Sequence, residues 1–194
     1  MSISYYDDNA FDFFIDTFTL DMNHLYSTFL NLIPEGGRIL DAGCGSGRDS
    51  LSFASMGYEV TGFDGSKEMV KLARTATTLP ILHCQFHEFD SKQHFDGIWA
   101  CASLLHVPAA ELGATLSHLA SFLRPQGVFY LSVKLGQGES VVGQRLFTNQ
   151  DIRSLERLES IIEPLPLDFL TCWLTGDVRS GNKQQWLNVI LKKR

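Results

Sequence analysis

The spacing of apolar residues changes character along the chain. Phe11, Phe14, Ile15, Phe18, Leu25, Phe29, Leu30 and Ile33 recur mostly every three or four positions, the period of an amphipathic helix. Asp21 interrupts that series as a cap or break between two helices, and core packing is the plain reading of most of these aromatic residues. Pro34-Glu35-Gly36-Gly37 is a turn. Beyond it the apolar residues fall into short continuous runs separated by helical stretches. Ile39-Leu40 reads as a buried strand, and a helical pattern over 48–56 stops at Gly57, placed as a left-handed C-terminal cap. A second strand over 58–63 follows. Ser66 is a good N-cap for a helix over 67–76 that carries Met69, Val70, Leu72 and Ala73 on one side. Residues 79–84 lead into a third strand, and 95–102, apolar throughout, suit a central parallel strand. A helix over 108–122 has Leu112, Leu116, Leu119 and Leu123 on one face, and Pro125-Gln126-Gly127 stops it before a fifth strand at 128–133. This alternation predicts an α/β fold with a parallel, doubly wound sheet. Further on, 136–139 reads as a loop, Thr148 with Asp151 as a capping box opening a helix to about residue 158, and 165–174 and 186–191 as two strands around a polar loop.

Composition narrows the class. A chain of 194 residues, 44% hydrophobic and 20% charged, has the size and make-up of one globular domain, 1–194, and shows no repeat or linker. Its net charge of −6 argues against nucleic acid as the main partner, since phosphate binding needs a basic face. No apolar run approaches a membrane span, and the acidic start MSISYYDDNAFDFF lacks the positive region of an export signal. Cys44, Cys84, Cys101 and Cys172 form no C-x-x-C pair, so no metal site is expected, and reduced thiols in a cytoplasmic protein are the simple reading.

The chemistry concentrates between Arg38 and Asp64. After the first strand come Asp41 and then Gly43, Gly45 and Gly47 at alternate positions, with Cys44 inside the turn. Glycine accepts positive φ and lets a ligand approach bare backbone. Asp64 ends the second strand about 20 residues after the first glycine, the interval of a ribose-binding carboxylate. Strand, glycine turn, helix, strand and acid together form a nucleotide-binding unit whose ligand lies over the carboxyl ends of the strands. The glycines read G-x-G-x-G, and Arg48 stands where a dinucleotide fingerprint has its third glycine. No basic cluster meets a pyrophosphate, and Asp41 would repel one while attracting an ammonium group. The turn therefore suits a nucleoside with a cationic tail, such as S-adenosylmethionine (SAM). A nicotinamide-dependent dehydrogenase is disfavoured by the missing glycine.

LDAGCGSG followed by GFDGS resembles the first two motifs of the Rossmann-like (class I) SAM-dependent methyltransferases. WACASLLHVP, RLFT and WLNVILKK resemble a bacterial small-molecule branch close to the tellurite-resistance-type methyltransferases. The resemblance implies a mostly parallel seven-stranded sheet closed by a C-terminal antiparallel hairpin, over a core at 35–194, with an N-terminal helical cap at 1–34 over the cofactor. It implies SAM as cofactor and a small-molecule acceptor methylated at O, N, S or a metalloid. A SAM-binding module without turnover and a protein or RNA methyltransferase are the alternatives. The absence of an N/D-P-P-Y sequence disfavours methylation of adenine or glutamine amino groups by that route.

Residue roles follow from the motifs. Asp41 would anchor the amino-acid end of SAM, and Gly43, Gly45 and Gly47 would pass beneath the methionyl and ribose parts. Asp64 would accept from the ribose hydroxyls, with Gly65 and Ser66 beside it and Met69 on the adenine. Gln85 stands where the family has an acid for the adenine amino group, and Phe86 would offer its backbone N–H. His87 competes for that role or faces water. Ala102 and Ser103 would turn backbone carbonyls toward the cofactor. Tyr6 either touches cofactor or substrate or packs at the surface. His106 is the candidate general base or substrate contact, since histidine titrates near neutrality, or else only caps a helix. Arg145 and Arg179 are candidates for holding an anionic substrate through the guanidinium fork, or else are solvated loop charges. Trp173 and Trp186 read as core residues of the closing hairpin.

Overall fold

A computed structural model describes residues 2–136, 138–149, 155–179 and 181–194. Five strands run parallel: β1 (Arg38–Ala42), β2 (Glu59–Asp64), β3 (Ile81–His83), β4 (Phe95–Cys101) and β5 (Leu123–Lys134). A small antiparallel hairpin follows, β6 (Glu139–Val142) with β7 (Arg145–Thr148). β8 (Leu167–Gly176) and β9 (Gln185–Lys193) complete the main sheet, β9 lying antiparallel to both β5 and β8. The order is β3-β2-β1-β4-β5-β9-β8, the mostly parallel seven-stranded sheet expected. The direction of progression reverses between β1 and β4, and the crevice at such a switch point is where open α/β sheets bind ligands.

The central strands are buried on both faces because their side chains alternate between two cores. Leu40, Ala42, Ile98, Ala100, Phe129 and Leu131 point to one core, which also takes in Leu116 and Leu119 of α6 (Leu112–Ser121). Ile39, Trp99, Val128 and Tyr130 point to the other, against Tyr26 and Phe29 of α3 (Asn23–Leu30) and Phe53 of α4 (Arg48–Ser55). In that second core Trp99 stacks on Tyr130 at 3.8 Å between ring centroids. Asp49 sits beneath them, fully tied. Its carboxylate accepts from Tyr26 Oη (2.7 Å) and Trp99 Nε1 (2.8 Å), and from Arg48 Nε (2.6 Å) and Nη2 (2.9 Å). Burial raises its pKa, but the Arg48 charge and these donors outweigh burial and hold it below the ordinary value. One carboxylate thus joins α3, α4 and β4.

The remaining helices are α1 (Ser2–Asp8), α2 (Ala10–Phe18), α5 (Lys67–Thr77) and α7 (Leu155–Ile162). Asp21 does stand between α2 and α3, where Oδ1 accepts from Asn23 N at 2.9 Å. Ser66 caps α5 by accepting from Met69 N. Three expectations change. Phe11 and Ile15 are 66% and 58% exposed, because α2 turns Phe13 inward instead. Residues 109–111 form a turn and the helix begins only at Leu112. β6 and β7 occupy a stretch with no strand expected, their apolar runs being too short to register as a period. Thr148 closes β7 and donates Oγ1 to the Val107 carbonyl (2.7 Å), while Asp151, its expected capping partner, lies outside the described residues. Among the described residues no helix is long and apolar enough to cross a membrane.

Gly97 in β4 shows how closely α3 is seated. A Cβ there would lie 2.3 Å from Ile33 Cδ1 and 2.6 Å from Phe29 Cζ. Gly97→Ala is therefore expected to destabilise the protein by about 1–3 kcal/mol through overpacking, measured by denaturant unfolding. Unchanged stability would show that α3 can move off the sheet without loss.

A candidate active site at the ends of the central strands

The glycine turn is built by β2. The N–H groups of Gly43 and Cys44 both donate to the Phe63 carbonyl, each at 2.9 Å. Gly43 has φ +76°, and a Cβ on it would meet Ser103 Cβ at 2.5 Å, so glycine is required on two counts. Gly45 N–H donates to Asp64 Oδ2 (2.9 Å), and Ser66 N–H donates to Asp64 Oδ1 (2.8 Å). Asp64 therefore holds the turn together, a structural duty its place at a strand tip does not announce. Burial pushes its carboxyl upward, against the pull of those two N–H groups. Asp41 is 2% exposed and accepts from Ser50 Oγ at 2.6 Å. Burial first, and the Asp49 charge second, raise its pKa. Among the described residues no cation forms an ion pair with Asp41.

These groups floor a cavity of about 990 Å³. Asp41, Gly43, Cys44, Gly45, Asp64 and Gly65 line its base. Met69, Gln85 and Phe86 line one side, with His87 at the same side, and Ala102 and Ser103 close the far wall. Met69 is buried, whereas Gln85 is exposed and its N–H is held by Glu88 Oε2 at 2.8 Å. Ala102 has φ +53°, a left-handed conformation costly for a residue with a Cβ; its N–H donates to Ser132 Oγ, and Ser103 Oγ donates to the Ala42 carbonyl. Gly47 and Ser66 are the two candidates the structure does not bring to the cavity. Gly47 serves as the left-handed N-cap of α4, and Ser66 is turned to its capping bond and to Asp7.

The cavity roof comes from the N-terminal helices. Asp7 Oδ1 accepts from Ser66 Oγ (2.7 Å) and Glu68 N (3.2 Å), docking α1 on the start of α5. At its other end Ser2 Oγ accepts from Leu146 N (3.1 Å), and Ile3 packs over Gly65. Tyr6 is thereby carried inward, with Phe13 against it at 5.0 Å between ring centroids. Asp7 carried no motif signal; only the acidic, aromatic character of the first residues hinted at a docking segment.

At the far end His106 and Tyr6 form a pair. His106 Nδ1 lies 2.7 Å from the Leu146 carbonyl, which can only accept, so Nδ1 carries the proton. Nε2 is then a lone pair, and Tyr6 Oη donates to it at 2.8 Å. Burial, and then the charges of Arg145 and Lys134, push the His106 pKa down to about 4, so the ring is neutral at pH 7. Burial pushes Tyr6 upward, with Arg145 opposing. Arg145 and Lys134 both lie over the Phe147 ring, at 5.1 and 3.7 Å from its centroid. Arg179 also lines the cavity, but Asp177 grips it through Nε and Nη2. Trp173 and Trp186 are half-buried, and Trp186 lines the cavity while donating to Asp177 Oδ2 at 3.2 Å.

Comparison with known proteins agrees with this architecture. Residues 39–127 match the family profile described as a methyltransferase domain. The ubiquinone biosynthesis O-methyltransferase of Xanthomonas axonopodis pv. citri (strain 306) is 34% identical over 108 residues, covering 52% of this chain and 44% of that protein. Its counterpart from Proteus mirabilis (strain HI4320) is 30% identical over 155 residues, covering 71% and 62% respectively. The chain thus spans about half the length of the curated relatives it matches. Among solved structures, the Burkholderia thailandensis 1,6-didemethyltoxoflavin-N1-methyltransferase, with its substrate and S-adenosylhomocysteine (SAH) bound, superposes with a TM-score of 0.76 at 22% identity, covering 99% of this chain and 85% of that one. The fold is that of the Burkholderia methyltransferase, and residues 39–127 match a methyltransferase domain.

The His106 environment sets a pH dependence. Its folded pKa of about 4 lies below the ordinary 6.5. Between those values the unfolded chain binds more protons, so stability falls as pH drops from 6.5 toward 4. His106→Gln should remove on the order of 2–3 kcal/mol of that acid sensitivity, read as the difference between wild-type and variant unfolding free energies at pH 7 and pH 4. Parallel curves would show that the ring is not buried neutral.

Proposed function

We propose that this protein is a SAM-dependent methyltransferase acting on a small-molecule acceptor. The observation that carries it is the continuity of one cavity from the Asp41–Asp64 floor to the Tyr6–His106 pair. A donor held at one end would present its reactive group to an acceptor at the other. The names of the Xanthomonas and Burkholderia relatives, enzymes of quinone biosynthesis and of toxoflavin methylation, support a small acceptor.

The floor fits SAM chemically. Asp41 is a desolvated carboxylate without a cationic partner among the described residues, and an ammonium group is the ligand that would stabilise its charged form. Each oxygen of Asp64 accepts one backbone N–H and keeps a lone pair for a ribose hydroxyl. Gly65 and Met69 offer a small apolar face for the adenine, with Gln85 and Phe86 at its edge. Ala102 and Ser103 wall the space between donor and acceptor ends. SAM would supply an activated methyl group on a sulfonium, open to in-line attack by an acceptor lone pair with the neutral thioether SAH as leaving group. The chain's own contribution is alignment, exclusion of water and acceptance of a proton. His106 Nε2 is the basic atom, and Tyr6 Oη, already donating to it, is placed to relay a proton from the acceptor. The Leu146 carbonyl keeps the other ring nitrogen protonated, so the lone pair stays on the cavity side. α1 closes the roof through the Asp7 and Ser2 bonds and shields the reaction from solvent.

SAM and SAH should raise the melting temperature, and NAD should not. Stabilisation by NAD alone would sink the proposal. Asp64→Asn should weaken SAH binding roughly ten- to hundredfold, the worth of hydrogen bonds to a charged acceptor, measured calorimetrically. Release of SAH in the presence of small thiols, phenols, amines and metalloid oxyanions tests turnover; binding with no release from any of them would leave a SAM-binding protein only.

A further inference from the structure

Within the reading of a SAM-dependent transferase, the far end of the cavity says something about the acceptor. Lys134 is the last residue of β5 and half-buried. Its Nζ rests 3.7 Å above the Phe147 ring. Arg145 opens β7, with its guanidinium 4.4 Å from the Tyr5 centroid and 5.1 Å from that of Phe147. Arg145 Nε is buried without a hydrogen-bond partner among the described residues. Neither cation forms an ion pair among those residues. The third cation of this region, Arg179, is satisfied by Asp177, which also accepts from Asn182 and Trp186. Two positive groups are therefore held side by side in a chain of net charge −6, half out of water and without an ion-pair partner among the described residues; Asp177, already bound to Arg179, acts on Lys134 only from a distance. Charges in such a setting are costly unless paired.

We infer that the acceptor carries an anionic group, a carboxylate or a phosphate, seated between Lys134 and Arg145. The rest of the acceptor would then lie along Tyr6 and His106, since Leu146, next to Arg145, is the residue whose carbonyl orients the His106 ring. Tyr6, Phe13 and Phe147 line the cavity around that position with flat apolar surface, which suits a planar body, while Tyr5 backs the Arg145 guanidinium. The anion also acts on the base. Burial is the first cause of the low basicity of His106, and the charges of Arg145 and Lys134 add to it. Pairing those charges with a substrate anion removes their share, so the acceptor that fits also makes His106 a better proton acceptor. Arg179, held by Asp177, shapes the wall without being the anion's partner.

The test uses SAH-loaded protein titrated with naphthoate, naphthyl phosphate and naphthamide, followed by their fluorescence. At least one anion should bind about tenfold or more tightly than the neutral amide, the worth of one charged hydrogen bond. Which anion wins distinguishes carboxylate from phosphate, and either supports the inference. Lys134→Gln and Arg145→Gln should each remove most of the preference, while Arg145→Lys keeps part of it. SAH affinity and the thermal melt, measured on the same variants, should stay close to wild type. Equal binding of all three probes, failure of all three to bind, or a preference that survives both glutamine variants would overturn the inference while leaving the SAM reading intact. Failure of SAH to bind the wild-type protein would instead overturn the SAM reading on which it rests.

Discussion

The site depends on a short-range constraint between two strand ends. The Phe63 carbonyl takes two N–H groups from the turn after β1, and the Asp64 carboxylate takes a third from Gly45 and a fourth from Ser66. Four backbone donors converging on two consecutive residues leave the turn little freedom. Glycine at 43 is then forced by the approach of Ser103 from the end of β4. Three strands and the start of α5 are thereby locked around one space, and the cavity is what remains over their carboxyl ends. Preorganisation of this kind lets a site bind without ordering itself first.

Electrostatic character is divided along the cavity. The floor is acidic, with Asp41 buried, Asp64 half-buried, and both raised in pKa first by desolvation. Next to it Asp49 is also buried but stays charged, because Arg48, Tyr26 and Trp99 compensate it. The contrast shows what decides the state of a buried carboxylate: the number and charge of its donors, not its depth. The far end is cationic, with the charges of Lys134 and Arg145 standing around a neutral His106. A ligand carrying a positive tail and an acceptor carrying a negative group would thus be sorted to opposite ends, with the Tyr6–His106 pair near the second.

The fold was legible because its core strands are buried on both faces, and short continuous apolar runs alternating with helical stretches are what a helix-covered parallel sheet requires. The floor of the site was legible because turn chemistry is local: positive φ and close approach demand glycine, and a strand-tip acid is a sequence-level signal. The roof was less so. The period of three and four in the first 33 residues foretold helices, yet it placed Phe11 and Ile15 inside when they face water, since a helix with apolar residues on several sides does not say which side is covered. The β6–β7 hairpin, four residues a strand, was too short to show a period at all, and it delivers Arg145 and the Leu146 carbonyl.

What the amino-acid sequence determined by itself was the alternation of elements and the glycine turn with its two flanking acids. Tertiary structure alone decided the rest. It set Tyr6 against His106, 100 residues apart in the chain. It gave Arg179 to Asp177 while leaving Lys134 and Arg145 without an ion pair among the described residues, and it left the helix caps Gly47 and Ser66 off the cavity lining. The physical reason is range. Backbone conformation and burial periodicity act within a few residues and are written in order along the chain. A hydrogen bond or an unpaired charge depends on which distant groups the packing brings within about 3 Å, and no local pattern carries that distance.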